Sequence, residues 1–198
     1  MKVRTIQALL TALSPAIACA AADPGAPTWY VGAAGGASHS SVACEAALAC
    51  DRTGAAWKVY GGFRWANRTG GEIIYEDFGH ASAGAIDALD VTDATVSPRA
   101  LGLAAVWEPE LVGSVAARFK VGVSSVWTRL QGTSEGAAVD SDRKTFAHWW
   151  LAMGLVWNVA PHWDITADYD WTRAGYRNES HKQTSDVGAF SVGAAWRF

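Results

Sequence analysis

The chain has 198 residues, half of them hydrophobic and 11 of them Trp, with a formal net charge of −3. An acidic balance argues against nucleic-acid binding. No stretch after the N-terminal segment approaches about 18 consecutive apolar residues, which excludes a transmembrane helix. A membrane chain without such helices has one spanning solution, the closed β-barrel, because only closure satisfies every backbone polar group in hydrocarbon.

From the N-terminus, Lys2 and Arg4 precede an apolar run from Ile6 to Leu13, and Ala20-Ala21-Ala22 stand before Asp23. This pattern reads as a secretory signal peptide over residues 1–22, cleaved after Ala20 or after Ala22. A lipoprotein reading with Cys19 lipidated fits less well, since Ala16 stands where Leu is usual. Removing residues 1–22 takes away Lys2 and Arg4 and no acid, leaving 14 cations against 19 acids and a net charge of −5. Residues 23–198 suit one domain. Cys44 and Cys50 are its only cysteines, and their spacing in an exported chain suits a small loop disulfide, with two free thiols as the alternative.

The strands are read from Trp spacing. Trp57 and Trp65, Trp149 and Trp157, and Trp163 and Trp171 form pairs eight residues apart, so each pair shares one face of a strand. Eight residues rise roughly 27 Å along a strand. A tilt of about 40° brings this near the separation of two aromatic girdles bounding an apolar band of about 25 Å. A soluble barrel such as a lipocalin would instead need these Trp inward and Lys58 and Arg64 outward. Eight strands are expected: Thr28 to Ala37, Ala55 to Trp65, Gly71 to Gly79, Arg99 to Trp107, Ser114 to Arg129, Phe146 to Val159, Trp163 to Arg173 and Val187 to Phe198. Short connections at residues 66–70, 108–110 and 160–162 alternate with longer polar ones near 38–54, 80–98, 130–145 and 174–186. That asymmetry predicts periplasmic turns, extracellular loops and both termini in the periplasm.

The last strand reads F-S-V-G-A-A-W-R-F from Phe190 to Phe198, a strict period-2 alternation that stops on its apolar phase. This ending resembles the C-terminal signature of outer-membrane barrels, in which a terminal Phe is an assembly address. With the cysteine pair ahead of the second strand and the A-W-K-V-Y-G-G-F-R strand that follows it, the whole mature chain resembles small eight-stranded OmpA/OmpX-type barrels. The nearest resemblance is to the OmpA-like β-barrel domain family, without the peptidoglycan-binding domain of full OmpA. The resemblance implies an all-β, eight-stranded antiparallel up-and-down transmembrane β-barrel in the bacterial outer membrane. Its expected partners are outer-membrane lipid, lipopolysaccharide, the barrel assembly machinery acting through Phe198, and an unidentified extracellular ligand.

The inward phase collects charge: Lys58, Arg64, Arg118, Lys120 and Arg197 against Glu72, Glu76, Asp164, Asp168 and Asp170. An eight-stranded barrel is only wide enough to be filled by side chains. An ion-paired, plugged lumen is therefore expected, with a small gated pore as the alternative. Inward Gly62, Gly122, Gly154 and Gly193 leave room for the long side chains. Some barrels of this size modify lipid A, which would need Ser, His and an acid converging at the outer rim. The five His residues, His39, His80, His148, His162 and His181, read as polar loop or wall residues, and no enzyme activity is expected. No phosphate loop or metal-ligand spacing is visible, so no cofactor is expected. Outside, Arg99, Arg129 and Arg173 share the outward phase at the extracellular ends of their strands. There they suit either lipopolysaccharide phosphates or ordinary interfacial anchoring. A structural or surface-interaction role follows as the leading expectation.

Overall fold

A computed structural model describes residues 26–41, 50–51, 53–86, 91–134, 137–177 and 182–198. The expected signal peptide, Cys19, Cys44 and His181 lie outside them, so the cleavage site and the Cys44–Cys50 pairing stay sequence expectations.

The described chain is strand after strand: β1 (Thr28–Ser40), β2 (Cys50–Asp51), β3 (Thr53–Arg64), β4 (Thr69–Asp77), β5 (Ala81–Ile86), β6 (Val91–Trp107), β7 (Glu110–Val112), β8 (Val115–Ser134), β9 (Ala137–Ala160), β10 (Trp163–Arg177) and β11 (Lys182–Arg197). Eight of these pair antiparallel around a closed ring in the order β1, β3, β4, β6, β8, β9, β10, β11. Closure is made by β1 against β11, in a register running from Tyr30 opposite Arg197 to Ser40 opposite Val187. The short β2, β5 and β7 extend neighbouring ribbons.

Period-2 patterning decides which face each residue takes. Trp29 is 56% exposed and Leu103 60%, whereas their neighbours Tyr30 and Ala104 are 5% and 7% exposed. All the Trp pairs used as rulers face outward, with Trp171 half-buried and the other five exposed. The wall thus presents an apolar outer skin and keeps its polar residues inside, the reverse of a soluble barrel.

Three of the expected connections differ from the structure. Most of 80–98, of 130–145 and of 174–186 is strand, because β6 begins at Val91, β8 and β9 run as a paired ribbon to Ser134 and Ala137, and β10 and β11 pair as far as Arg177 and Lys182. Backbone pairing has no reason to stop where the apolar band stops. Val- and Thr-containing stretches such as Val91-Thr92-Asp93-Ala94-Thr95-Val96 continue the ladder. The opposite end has short turns. In the first of them Arg68 takes a positive φ of 65°, and the Asn67 side chain accepts from the Thr69 backbone N–H at 3.2 Å and from its hydroxyl at 2.7 Å. Neighbouring turns are tied together by the Glu108 N–H donating to the Arg68 carbonyl at 2.9 Å and by an Arg68–Glu110 ion pair.

Candidate functional site

The inward phase of the eight strands builds a stacked interior. Nearest the short-turn end, Glu108 accepts from Arg118 at 2.7 Å and from Arg64, and Arg197 pairs with Asp164 at 3.1 Å. One level further, Lys120 meets Glu72 at 2.6 Å and Asp168 at 3.4 Å, while Lys58 meets Asp168 at 3.0 Å and Asp170 at 2.5 Å. Arg118 stands 3.8 Å from Asp168 and joins the two levels. These are contacts across the barrel: Lys58 on β3 reaches acids on β10, 110 and 112 positions later. Charged groups removed from water require such partners, since an isolated buried charge costs far more than a paired one.

Aromatic side chains share this interior. The Tyr30 hydroxyl donates to Glu72 at 2.9 Å, and the Tyr60 and Thr166 hydroxyls lie 3.0 Å apart. The Arg118 guanidinium sits 5.7 Å from both tyrosine ring centroids, within cation–π range. Above the charged levels, Trp150 is fully buried 6.4 Å from Phe78, and its indole N–H donates to Asp170 at 3.1 Å. Ile74, Ala100, Val126 and Val187 complete an apolar cap.

Small residues make this packing possible. A Cβ on Gly32 would strike the Tyr60 ring, on Gly62 it would collide with the Gly71 carbonyl and meet the Tyr30 hydroxyl at 2.8 Å, and on Gly102 the Trp150 ring at 3.0 Å. Gly154 lies under the Asp168 carboxylate. Gly122 and Gly193 serve a different purpose from the expected one: a Cβ there would collide with the Leu103 or Ala33 backbone, so they permit close strand approach.

Period-2 phase puts the ten charges named above on the inner face, whereas Glu108 reads as part of a short connection and Tyr30, Tyr60, Phe78 and Trp150 carry no chemical signal of their own. Phase was the available signal. Glu108 continues the inward set Ala100, Ala104, Val106, and Pro109 behind it disguised the continuation as a turn. For Glu108, burial pushes the carboxyl up, but the adjacent Arg118 and Arg64 guanidiniums outweigh burial and hold it below the usual carboxylate range.

The long-ribbon end carries the outward arginines. Arg99 donates through Nε to Asp77 at 2.8 Å, and Arg173 does the same to Asp186 at 2.8 Å while lying 5.5 Å from the Trp171 ring. Arg129 is exposed, stands opposite Asp142 in the β8–β9 ladder, and is likewise engaged. His80 Nδ1 lies 2.7 Å from the Ser97 hydroxyl at this end. Asp77, three residues before it, is committed to the Gly79 N–H and to Arg99, and no ion pair joins His80 to a carboxylate among the described residues. His39 and Ser40 take opposite faces of β1, and His162 at the short-turn end contacts the Arg197 carbonyl at 2.9 Å. Phe198 is 63% exposed and donates its backbone N–H to the Trp29 carbonyl at 3.0 Å.

A model of the OmpA-like transmembrane domain matches residues 24–198. The chain belongs to this family. As an OmpA-like barrel it resides in the bacterial outer membrane. Solved barrels repeat its fold at low identity. Neisserial surface protein A matches with a TM-score of 0.61 and 19% identity, over 86% of this chain and 97% of its own. Ail from Yersinia pestis, crystallised with the heparin analogue sucrose octasulfate, matches at 0.55 and 13%, over 87% and 99%. The N-terminal barrel domain of Pseudomonas aeruginosa OprF matches at 0.52 and 10%, over 88% and 99%. No curated protein sequence gives a significant match to this OmpA-like chain.

Proposed function

We propose that this OmpA-like barrel is a structural and surface-interaction protein whose interior does not conduct. The observation that supports this reading is the burial of the inward cations: Lys58, Arg118 and Lys120 are at most 3% exposed, and each is bonded to carboxylates beneath Phe78 and Trp150. A barrel of eight strands leaves little interior beyond what side chains fill. In this reading the short turns and termini face the periplasm, and the long ribbons present the surface that a partner meets. Purified protein in planar bilayers is expected to give no stable conductance steps. Reproducible single-channel steps would overturn the reading.

The same reading assigns Arg99, Arg129 and Arg173 to lipopolysaccharide. A guanidinium carries five N–H donors, so Arg99 and Arg173 keep donors for phosphate after their Nε bonds to Asp77 and Asp186. Replacing all three by Gln is expected to lower the lipopolysaccharide that co-purifies with the barrel and its thermal stability in lipopolysaccharide-containing membranes. Unchanged retention and stability would reduce these arginines to interfacial anchors.

A further inference from the structure

Among the described residues the lumen holds one more acid than base. Its cations are Lys58, Arg64, Arg118, Lys120 and Arg197, and its acids are Glu72, Glu76, Glu108, Asp164, Asp168 and Asp170. Five of those acids lie within ion-pair distance of a cation. Glu76 does not. Its side chain is fully buried, and neither carboxylate oxygen has a hydrogen-bond partner among the described residues.

The reason lies in the cross-barrel geometry. Lys58 stands directly opposite Glu76 in the β3–β4 ladder, yet its ammonium reaches across the lumen to Asp168 and Asp170 on β10. From β6 the ladder partner of Glu76 is Ala100, which has nothing to donate. The charges that act on Glu76 are Asp170 and Asp168 from β10, Lys58 from β3 and Lys120 from β8. Both cations are committed to other carboxylates, and β9 contributes Trp150, whose N–H is spent on Asp170.

We propose that Glu76 is a proton-binding site enclosed in the barrel and carries its proton at neutral pH. An ionised carboxylate with no donor would be uncompensated here, and the two Asp carboxylates would repel it. One bound proton removes the excess charge and turns an acceptor-only group into a donor. A metal cation is the poorer occupant, because hard cations take six or more oxygen ligands. The described residues contain no group of three or more potential metal ligands, and the Lys58 and Lys120 ammoniums act on the same position. The site does not depend on whether the lumen conducts.

Infrared spectroscopy of the refolded barrel at neutral pH reads the proton directly. Wild type is expected to show a protonated-carboxyl C=O band that disappears in Glu76→Gln. Gln mimics the neutral acid, so Glu76→Gln is also expected to keep the wild-type urea midpoint, whereas Glu72→Gln, which removes the charge paired with Lys120, lowers it. The proposal is overturned by the absence of that band in wild type, by its persistence in Glu76→Gln, or by failure of Glu76→Gln to fold. A urea midpoint that rises with sodium or potassium at constant ionic strength in wild type and not in Glu76→Gln would also overturn it, in favour of a metal-cation site.

Discussion

Glu108→Ala is expected to destabilise the folded barrel by about 3–5 kcal/mol, the cost of breaking a buried ion pair by removing one partner. Arg118 is 1% exposed, and its remaining carboxylate contact, Asp168 at 3.8 Å, is already shared with two lysines. The loss is therefore an uncompensated guanidinium, with an orphaned Arg64 beside it. Urea titration of barrels refolded in lipid vesicles, followed by Trp fluorescence, measures it. The double variant Glu108→Leu/Arg118→Met is expected to recover much of the loss, because replacing both members of a buried pair by apolar residues is often neutral. If Glu108→Ala alone left the midpoint unchanged, the pair would have no structural weight.

The same residue sets a pH dependence. Its carboxyl lies below the usual carboxylate range in the folded barrel, so the folded state binds that proton less readily than the unfolded chain. Its contribution is fully present above the unfolded Glu value of about 4.3 and is lost as pH falls through the lower folded value. Glu108→Gln should flatten this part of the acid limb of the stability profile.

Trp150→Ala is expected to cost about 3–5 kcal/mol, as large aromatic truncations in well-packed cores do. The indole is fully buried and packs beside Phe78 and over Gly102. Its removal also takes the N–H donor from Asp170. Trp150→Phe separates the two effects, keeping a ring while losing the donor, and should fall between wild type and Ala. Because the cap lies above the charged levels, Trp150→Ala is also expected to admit water from the long-ribbon end. Brief, small conductance events in planar bilayers would then appear that wild type lacks. An unchanged urea midpoint would show that the cap contributes no packing, and a silent bilayer would show that the ion-paired levels alone close the lumen.

The period-2 alternation was enough to assign faces, because a β-strand sends successive side chains to opposite sides whatever its neighbours are. Trp29, Val31, Leu101, Leu103, Phe190 and Val192 are outward for that reason. The same parity put Lys58, Glu72, Lys120 and Asp168 inside. It also held the signal for Trp150, since of two adjacent residues in a strand only one can share the outward face with Trp157. The ribbon ends were less legible. Residues 80–98 and 130–145 are polar enough to read as loops, while their backbone is satisfied by continued pairing that polarity does not reveal.

By itself, then, the sequence determined the barrel architecture and the face of most wall residues. These follow from local periodicity and from the rule that hydrocarbon admits only closed backbone pairing. The outer membrane followed from the family resemblance of its strands and its ending. Tertiary structure alone decided which charge meets which. Lys58 passes over its ladder neighbour Glu76 for Asp168 and Asp170 because a side chain inside a narrow barrel can reach the opposite wall as easily as the adjacent strand. That distance is set by closure, which no linear spacing records. It sets Glu108 between two arginines at the short-turn end and leaves Glu76, among the described residues, as the lumen acid without a base.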